Sequence, residues 1–217
     1  RAFIAKLRKH VADATEHFED YNYATALQET ESFFWSNFTD TNLDLAKNRA
    51  RAFEDGATGD QALAIGSAVA SLRLGLSVLL RLFAPIQPYI TEEIWSWCFS
   101  EEGAADDAAG KARSIHVAPW PSDSDFLGVT PPDHPESFDV AVSALGEINK
   151  AKADAEVSMG REVASLRLLA SPETLSILEG VAADVLAAAR VAEHEFKAKA
   201  DLEPGQFQVD AIEFAER

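Results

Sequence analysis

One stretch of the chain concentrates side chains that could contact unpaired nucleotides. Between residues 35 and 51 lie aromatic rings, an amide and cations, the residue types that stack on and hydrogen-bond to splayed RNA bases. These candidates are Trp35, Phe38, Asn42, Lys47, Arg49 and Arg51. The basic pair Arg8 and Lys9 is the alternative RNA-contacting position. Two simpler interpretations stay open: the aromatic stripe packs in a core, and the three cations only complement the dipole at a helix end.

Other kinds of chemistry find little support in the sequence. A metal site needs several ligands at close spacing, whereas the five histidines are scattered and Cys98 is the only cysteine. No glycine-rich phosphate loop, nucleophile elbow or kinase signature is present, and Glu92 with Glu93 is explained by the start of a helix. The sequence therefore predicts no catalytic residues, no metal and no cofactor in this chain.

The overall charge limits how the chain can bind a polyanion. A formal net charge of -17 argues against loose, sequence-independent binding to nucleic acid, so any such contact must be local. A second, sparser basic cluster, for which we expect only a solvated face, consists of Lys150, Lys152, Arg161 and Arg167. The single cysteine excludes an internal disulfide and indicates a reducing compartment.

Helical periodicity predicts the elements that position these residues. Apolar residues recur in steps of three and four at 4–18 and at 65–83, and a helix over about 23–53 carries the aromatic and basic candidates. Pro85 should end the third helix, and Thr91 should cap a fourth. The apolar run at 74–80 is too short for a membrane span, which needs about 20 residues. Residues 100–112 lack periodicity and predict a mobile loop.

The second half of the sequence follows a different pattern. A helix over 136–156 precedes a predicted strand in EVASLRLLA, a helix capped by Ser171, and two further strands in VAEHEFKAK and FQVDAIEF. The predicted fold is mainly α: an antiparallel helical bundle over 1–121, a linker over 122–135 rich in turn residues, and a small α/β domain over 136–217.

Three segments resemble a known family. They are FEDYNYATALQETESFFWSNFTDTNLDLAKNRAR, LLRLFAPIQPYITEEIWSW and SIHVAPWP. Together they are similar to the anticodon-binding helical domain of class I aminoacyl-tRNA synthetases, in the subgroup that charges valine, isoleucine and leucine. The aromatic-rich second helix most resembles that of the valyl enzymes. Thr39 and the Thr41-Asn42 pair stand where such proteins often show a cysteine and an aromatic–tyrosine pair.

The resemblance implies a function. It predicts a cytoplasmic module that grips the anticodon loop of a valine-accepting tRNA, while the catalytic and editing domains of the same polypeptide use ATP with Mg²⁺ to charge it. The HIGH and KMSKS signatures of the family are absent, so we expect adenylate formation to reside outside this chain. The alternatives are the same domain of an isoleucyl or leucyl enzyme, and a helical protein-interaction module, which the acidity of the chain favours.

Overall fold

The predicted fold class is confirmed by the computed structural model, which describes residues 1–52, 58–99 and 114–215. A mainly helical part is followed by a small α/β part with a three-stranded sheet. Contacts group the chain into two compact units. Among the described residues, the first contains Phe3–Leu43, 58–99 and 114–131, and the second contains 44–52 and 132–215. The domain limits at 121 and 135 stay a prediction, and the loop predicted over 100–112 lies outside the described residues.

The first unit is built from four α-helices and one π-helical segment among the described residues. In chain order these are α1 (Ala2–Glu19), α2 (Tyr23–Phe33), the π-helix (Phe34–Leu43), α4 (Asp60–Phe83) and α5 (Pro88–Cys98). The helix α3 (Asp44–Arg51) continues the π-helix without a break but groups with the second unit. The helix predicted over 23–53 is therefore continuous as far as it is described, but it changes its hydrogen-bonding pattern in the middle.

The predicted apolar stripes form most of the core of the first unit. Ile4, Leu7 and Val11 on α1 are buried, and α4 ends at Phe83, as the proline at position 85 predicts. On α4 the carboxyl-terminal half is buried but Val69 is exposed. This helix has the length and apolar composition of a membrane span. Since its last two turns are buried within the unit, it packs as a core helix of this domain.

The predicted cap of α5 is wrong. The helix begins three residues earlier, at Pro88, because proline at the first helical position needs no hydrogen-bond partner for its nitrogen. Thr91 is instead buried inside the helix, where its hydroxyl donates to the carbonyl of Gln87 at 2.8 Å. Trp95 is buried as expected, and Glu92 accepts hydrogen bonds from the Ser114 hydroxyl and the Ile115 amide.

The segment after residue 114 returns along the bundle. Trp120 packs on Phe18 with ring centroids 4.8 Å apart, and its indole N–H donates to the Thr15 hydroxyl at 2.9 Å. Buried Arg81 on α4 donates to the Pro119 carbonyl and forms an ion pair with Asp125. These contacts fix residues 119–126 against the helices of the first unit.

The second unit is a small α/β arrangement. Its further elements are α6 (Ser137–Asp154), β1 (Val163–Ala170), α7 (Pro172–Glu179), α8 (Ala182–Ala189), β2 (Val191–Ala198) and β3 (Phe207–Phe214). The strand order is β2-β1-β3, with β2 parallel and β3 antiparallel to the central strand. Ser171 caps α7 by accepting from the Thr174 amide, as predicted. The helix α3 packs against α8.

A buried histidine links α1 to α2. The Thr30 hydroxyl donates to the Ala26 carbonyl at 2.7 Å, so at 3.2 Å it accepts from Nε2–H of His10. The His10 ring also stacks on Phe33, with centroids 4.6 Å apart. Burial lowers the pKa of His10, partly offset by the charges of Asp13 and Glu29. The neutral imidazole is therefore the form that the fold stabilises.

We expect the first unit to lose stability as the pH falls below about 6.5, the ordinary pKa of histidine. Below that pH, His10 binds a proton in the unfolded chain but stays neutral in the folded chain, so protonation favours unfolding. The loss of stability continues until the pH reaches the lowered pKa of His10 in the folded chain. Urea unfolding at pH 7.5 and 5.5 should show a smaller drop for His10→Gln than for the unaltered chain. The other histidines are identical in both proteins, so an equal drop would exclude this role for His10.

Candidate nucleic-acid interface

The π-helix Phe34–Leu43 carries the aromatic part of the predicted RNA-binding residues. Bonds from each amide to the carbonyl five residues earlier widen the turn relative to an α-helix. Two hydroxyls support this geometry: Thr39 donates to the Trp35 carbonyl at 2.9 Å, and Thr41 donates to the Ser36 carbonyl at 2.7 Å. Such segments are frequent at functional sites.

The π-helix sends its two candidate rings in different directions. Trp35 is 59% exposed and rests edge-on against Phe34, with centroids 5.2 Å apart. Phe38 is only 7% exposed, and a β-carbon added to Gly75 would lie 2.6 Å from its ring. Because a base can stack only on an accessible ring face, Phe38 offers no stacking surface in this arrangement, and its contact with RNA stays a prediction. Trp35 remains available.

Asn42 is also buried, with 7% of its surface exposed. Its side-chain Nδ2 has no hydrogen-bond acceptor among the described residues. A buried donor without an acceptor costs about 1–3 kcal/mol, so Asn42 is a weak point of the first unit. The Asn42 amide is therefore not on the surface in this arrangement, and its contact with a base stays a prediction.

The three cations at the end of the predicted second helix lie on α3, in the second unit. Lys47 pairs with Asp44 at 2.6 Å, and Arg49 pairs with Asp184 of α8 at 2.7 Å. Burial raises the pKa of Asp184, and the Arg49 charge opposes that rise. Arg51 is exposed and has no ion pair within the part of the chain that the structure describes. Of the three, Arg51 alone has no carboxylate partner in the ranges 1–52, 58–99 and 114–215.

The alternative basic pair on α1 is exposed but compensated. Arg8 donates two hydrogen bonds to Asp123, at 2.8 and 3.0 Å, and lowers the pKa of that carboxyl. Lys9 pairs with Asp13 one turn further along the helix, at 2.6 Å. A phosphate would have to displace these carboxylates, so the two residues form no ready anion site.

The sequence reasoning missed exposed aromatic residues on α5. Tyr89 is 90% and Trp97 is 72% exposed, and Ile90 lies on the same side of the helix as Trp97. The signal was present for Tyr89, because a helix that turns Ile94, Trp95 and Cys98 inward must turn Tyr89 outward. Across residues 1–52, 58–99 and 114–215, no group of three or more possible metal ligands converges.

Comparison with known proteins shows the family to which the chain belongs. The family model described as the anticodon-binding domain of tRNA ligase matches residues 1–168. This chain belongs to that family. The resemblance read from the sequence is thereby confirmed, and the family's role, recognition of a tRNA anticodon, requires no catalytic residues in this anticodon-binding domain.

Relatives of this anticodon-binding domain include several bacterial proteins named valine–tRNA ligase. The protein of Bifidobacterium longum subsp. infantis is 35% identical over 192 residues, which is 88% of this chain and 20% of the relative. That of Thermobifida fusca is 39% identical over 163 residues, 75% of this chain and 16% of the relative. That of Cutibacterium acnes is 38% identical over 184 residues, 85% and 19% respectively. The chain spans about a fifth of the length of these curated relatives.

Proposed function

We propose that this chain is the anticodon-binding part of a valine–tRNA ligase. The observation that carries the proposal is the 35–39% identity to valine–tRNA ligases over most of the chain, together with the family match. The domain holds the anticodon arm of a valine-accepting tRNA so that its acceptor end reaches the distant active site. This contact adds binding energy that only the cognate tRNA realises.

The chemical steps belong to other parts of the same cytoplasmic polypeptide. Adenylate formation with ATP and Mg²⁺, aminoacyl transfer and editing reside in the catalytic and editing domains of the whole ligase. The chain described here supplies RNA binding alone. Isoleucine– and leucine–tRNA ligases remain the alternative within the superfamily.

The specificity of binding tests this proposal directly. The intact chain should bind a valine tRNA transcript more tightly than isoleucine or leucine transcripts at two salt concentrations. Binding should weaken with salt, because phosphate contacts release counterions. Equal affinity for all three transcripts would contradict the assignment to valine, and no binding to any would contradict RNA recognition by the isolated chain.

Among the predicted tRNA-binding residues, we propose Trp35 and Arg51 as those that contact RNA. Trp35 offers an open ring for stacking, and Arg51 a charge without a carboxylate partner among the described residues. Arg8, Lys9, Lys47 and Arg49 are each paired with a carboxylate. Their contribution to RNA binding would require those ion pairs to open.

Replacing Trp35 by Ala should weaken binding of the valine transcript by about 1–3 kcal/mol, or roughly 5- to 150-fold, because stacking on one base is lost. The matched control is Trp97→Ala, which removes another exposed tryptophan of the first unit and should leave affinity unchanged. A loss in the control alone would place the stacking surface on α5, and a loss of equal size in both variants would contradict a specific role of Trp35.

The exposed face of α5 supports a second candidate function. Tyr89, Ile90 and Trp97 form an exposed apolar surface of the kind found at protein–protein contacts. A helical interaction module is therefore the alternative if the chain binds no tRNA. The family match favours the first function.

A further inference from the structure

Three cationic side chains of the second unit surround the segment that connects α6 to β1. The buried ammonium of Lys152 donates to the carbonyls of Met159, Arg161 and Ala189, at 3.0, 2.8 and 2.6 Å. Arg190 donates to the Gly160 carbonyl at 3.2 Å, and Arg161 donates to the Ala215 carbonyl. None of the three forms an ion pair with a carboxylate of residues 1–52, 58–99 or 114–215.

This lack of ion pairs is unusual in so acidic a chain. With 36 acidic and 19 basic residues, a cation easily finds a carboxylate, and most basic side chains described above have done so. Arg167, on the neighbouring strand, is paired with both Glu195 and Asp210. The sequence predicts that Lys150, Lys152, Arg161 and Arg167 form a solvated face. That prediction is wrong for Lys152, which is buried, and Arg167 forms ion pairs in addition. Lys152, Arg161 and Arg190, by contrast, bind backbone carbonyls and form no ion pair with a described carboxylate.

The backbone of Arg190 gives independent support for a role of its side chain. This residue follows α8 in the left-handed conformation, with φ 56° and ψ 49°. Glycine is the usual residue at such a helix end, because other residues are strained there. A single hydrogen bond to a carbonyl uses little of the guanidinium, which has five N–H donors, and the side chain is exposed.

We propose that Arg190 and Arg161 bind the phosphodiester backbone of the tRNA. Lys152 holds the segment that connects α6 to β1, and with it Arg161, in place. This inference rests on the proposed function and adds a contact in the α/β unit. Guanidinium groups suit phosphate oxygens because they offer paired donors in one plane. Lys152 is a positioning residue, since its buried ammonium cannot reach the RNA.

The carboxylates nearby shape the expected binding. Arg190 lines an open cleft of about 590 Å³ together with Glu162, Glu193 and Glu213. These charges repel a small anion inside the cleft, so the RNA backbone should pass along its rim. The same charges should weaken RNA binding, which predicts that removing one of them tightens it.

Arg190→Gly provides the central test. Glycine relieves the left-handed backbone, so the midpoint of urea unfolding should stay or rise. The affinity for the valine tRNA transcript should fall roughly 3- to 10-fold, and the slope of log affinity against log salt should decrease by roughly 0.7–0.9. Arg190→Lys keeps the positive charge and should retain the salt slope. Arg167→Ala removes an arginine of β1 that is paired with carboxylates, and it should change neither the affinity for the transcript nor the salt slope.

Removing a neighbouring carboxylate should change the affinity for tRNA in the opposite direction. Glu193→Gln should raise the affinity for the same transcript, while inorganic phosphate at millimolar concentration should not compete. Competition by phosphate would identify a free-phosphate site and overturn the RNA assignment. An unaltered affinity and slope in folded Arg190→Gly, with the unaltered chain still binding tRNA, would overturn this site alone. If the unaltered chain binds no tRNA, the proposed function and this site both fail.

Discussion

Replacing Arg81 by Met should lower the free energy of unfolding of the first unit by about 3–5 kcal/mol, the usual cost of removing one partner of a buried ion pair. The Arg81 side chain is 4% exposed and holds Asp125 at 2.5 Å. Its remaining donors bind the carbonyls of Ser77 and Pro119, both at 3.2 Å. Methionine fills part of the space but leaves the carboxylate and both carbonyls without these donors.

The position of the lost contact explains the size of the effect. Asp125 also accepts from the Ser122 amide, so it organises the short turn that returns along the bundle. Without Arg81, the half-buried carboxylate of Asp125 loses its ion-pair partner beside α4. We therefore expect the segment 119–126 to detach before the helices unfold.

Tryptophan fluorescence during urea unfolding measures this effect, because all four tryptophans of the chain lie in the first unit. Arg8→Met is the matched control: it breaks an ion pair with Asp123, on the same turn, but one whose partners are both exposed. Exposed pairs contribute little, so the control should shift the unfolding midpoint only slightly. A similar shift in both variants would show that the burial of the Arg81 pair has no energetic consequence.

Replacing Lys152 by Met should destabilise the second unit by about 3 kcal/mol. Three carbonyls lose their donor, and each such loss costs about 1–3 kcal/mol when the carbonyl stays buried. Part of this is offset, because burial of the ammonium is itself unfavourable. Its pKa is lowered mainly by that burial and further by the Arg190 charge. Methionine keeps the aliphatic packing of the lysine, so the loss reports the hydrogen bonds.

Hydrogen exchange of the β1 amides measures the second prediction, since the second unit contains no tryptophan. Lys150→Met removes a lysine two residues earlier on α6 whose side chain is 69% exposed, and it should leave exchange unchanged. The tryptophan fluorescence transition should also stay in place in both variants. Equal protection of β1 in the two variants would show that the carbonyl cluster does not depend on Lys152.

Local patterns predicted many of the elements because they depend on neighbours in sequence. The periodic apolar residues of α1 and α4, the proline at position 85 and the Ser171 cap each act within one or two turns of the chain. The alternation in the last strands is equally local. The start of α5 is not determined by such patterns, because Pro88 at the first helical position and Thr91 as a cap are both compatible with the sequence.

The exposure of the candidate site residues could not be predicted from the sequence. Assigning residues to one face of a helix from their spacing assumes the same rotation per residue throughout the helix. The π-helix between Phe34 and Leu43 has a different rotation, so the assumption fails there. Phe38 therefore packs against Phe3 and Gly75, while Trp35 is exposed. A local hydroxyl pattern, Thr39 and Thr41, accompanies the wide turn, but the same residues also occur in ordinary helices.

The sequence by itself determined the helical class, the change to an α/β pattern after residue 135, the family resemblance and the residue types suited to RNA. Only the tertiary structure decided which cations are free to use their charge. Arg49 meets Asp184 across 135 positions, Arg8 meets Asp123 across 115, and Arg190 meets no carboxylate among the described residues. The partner of an ion pair and the strength of their interaction depend on distance in space and on burial. Neither quantity can be read from the order of the residues.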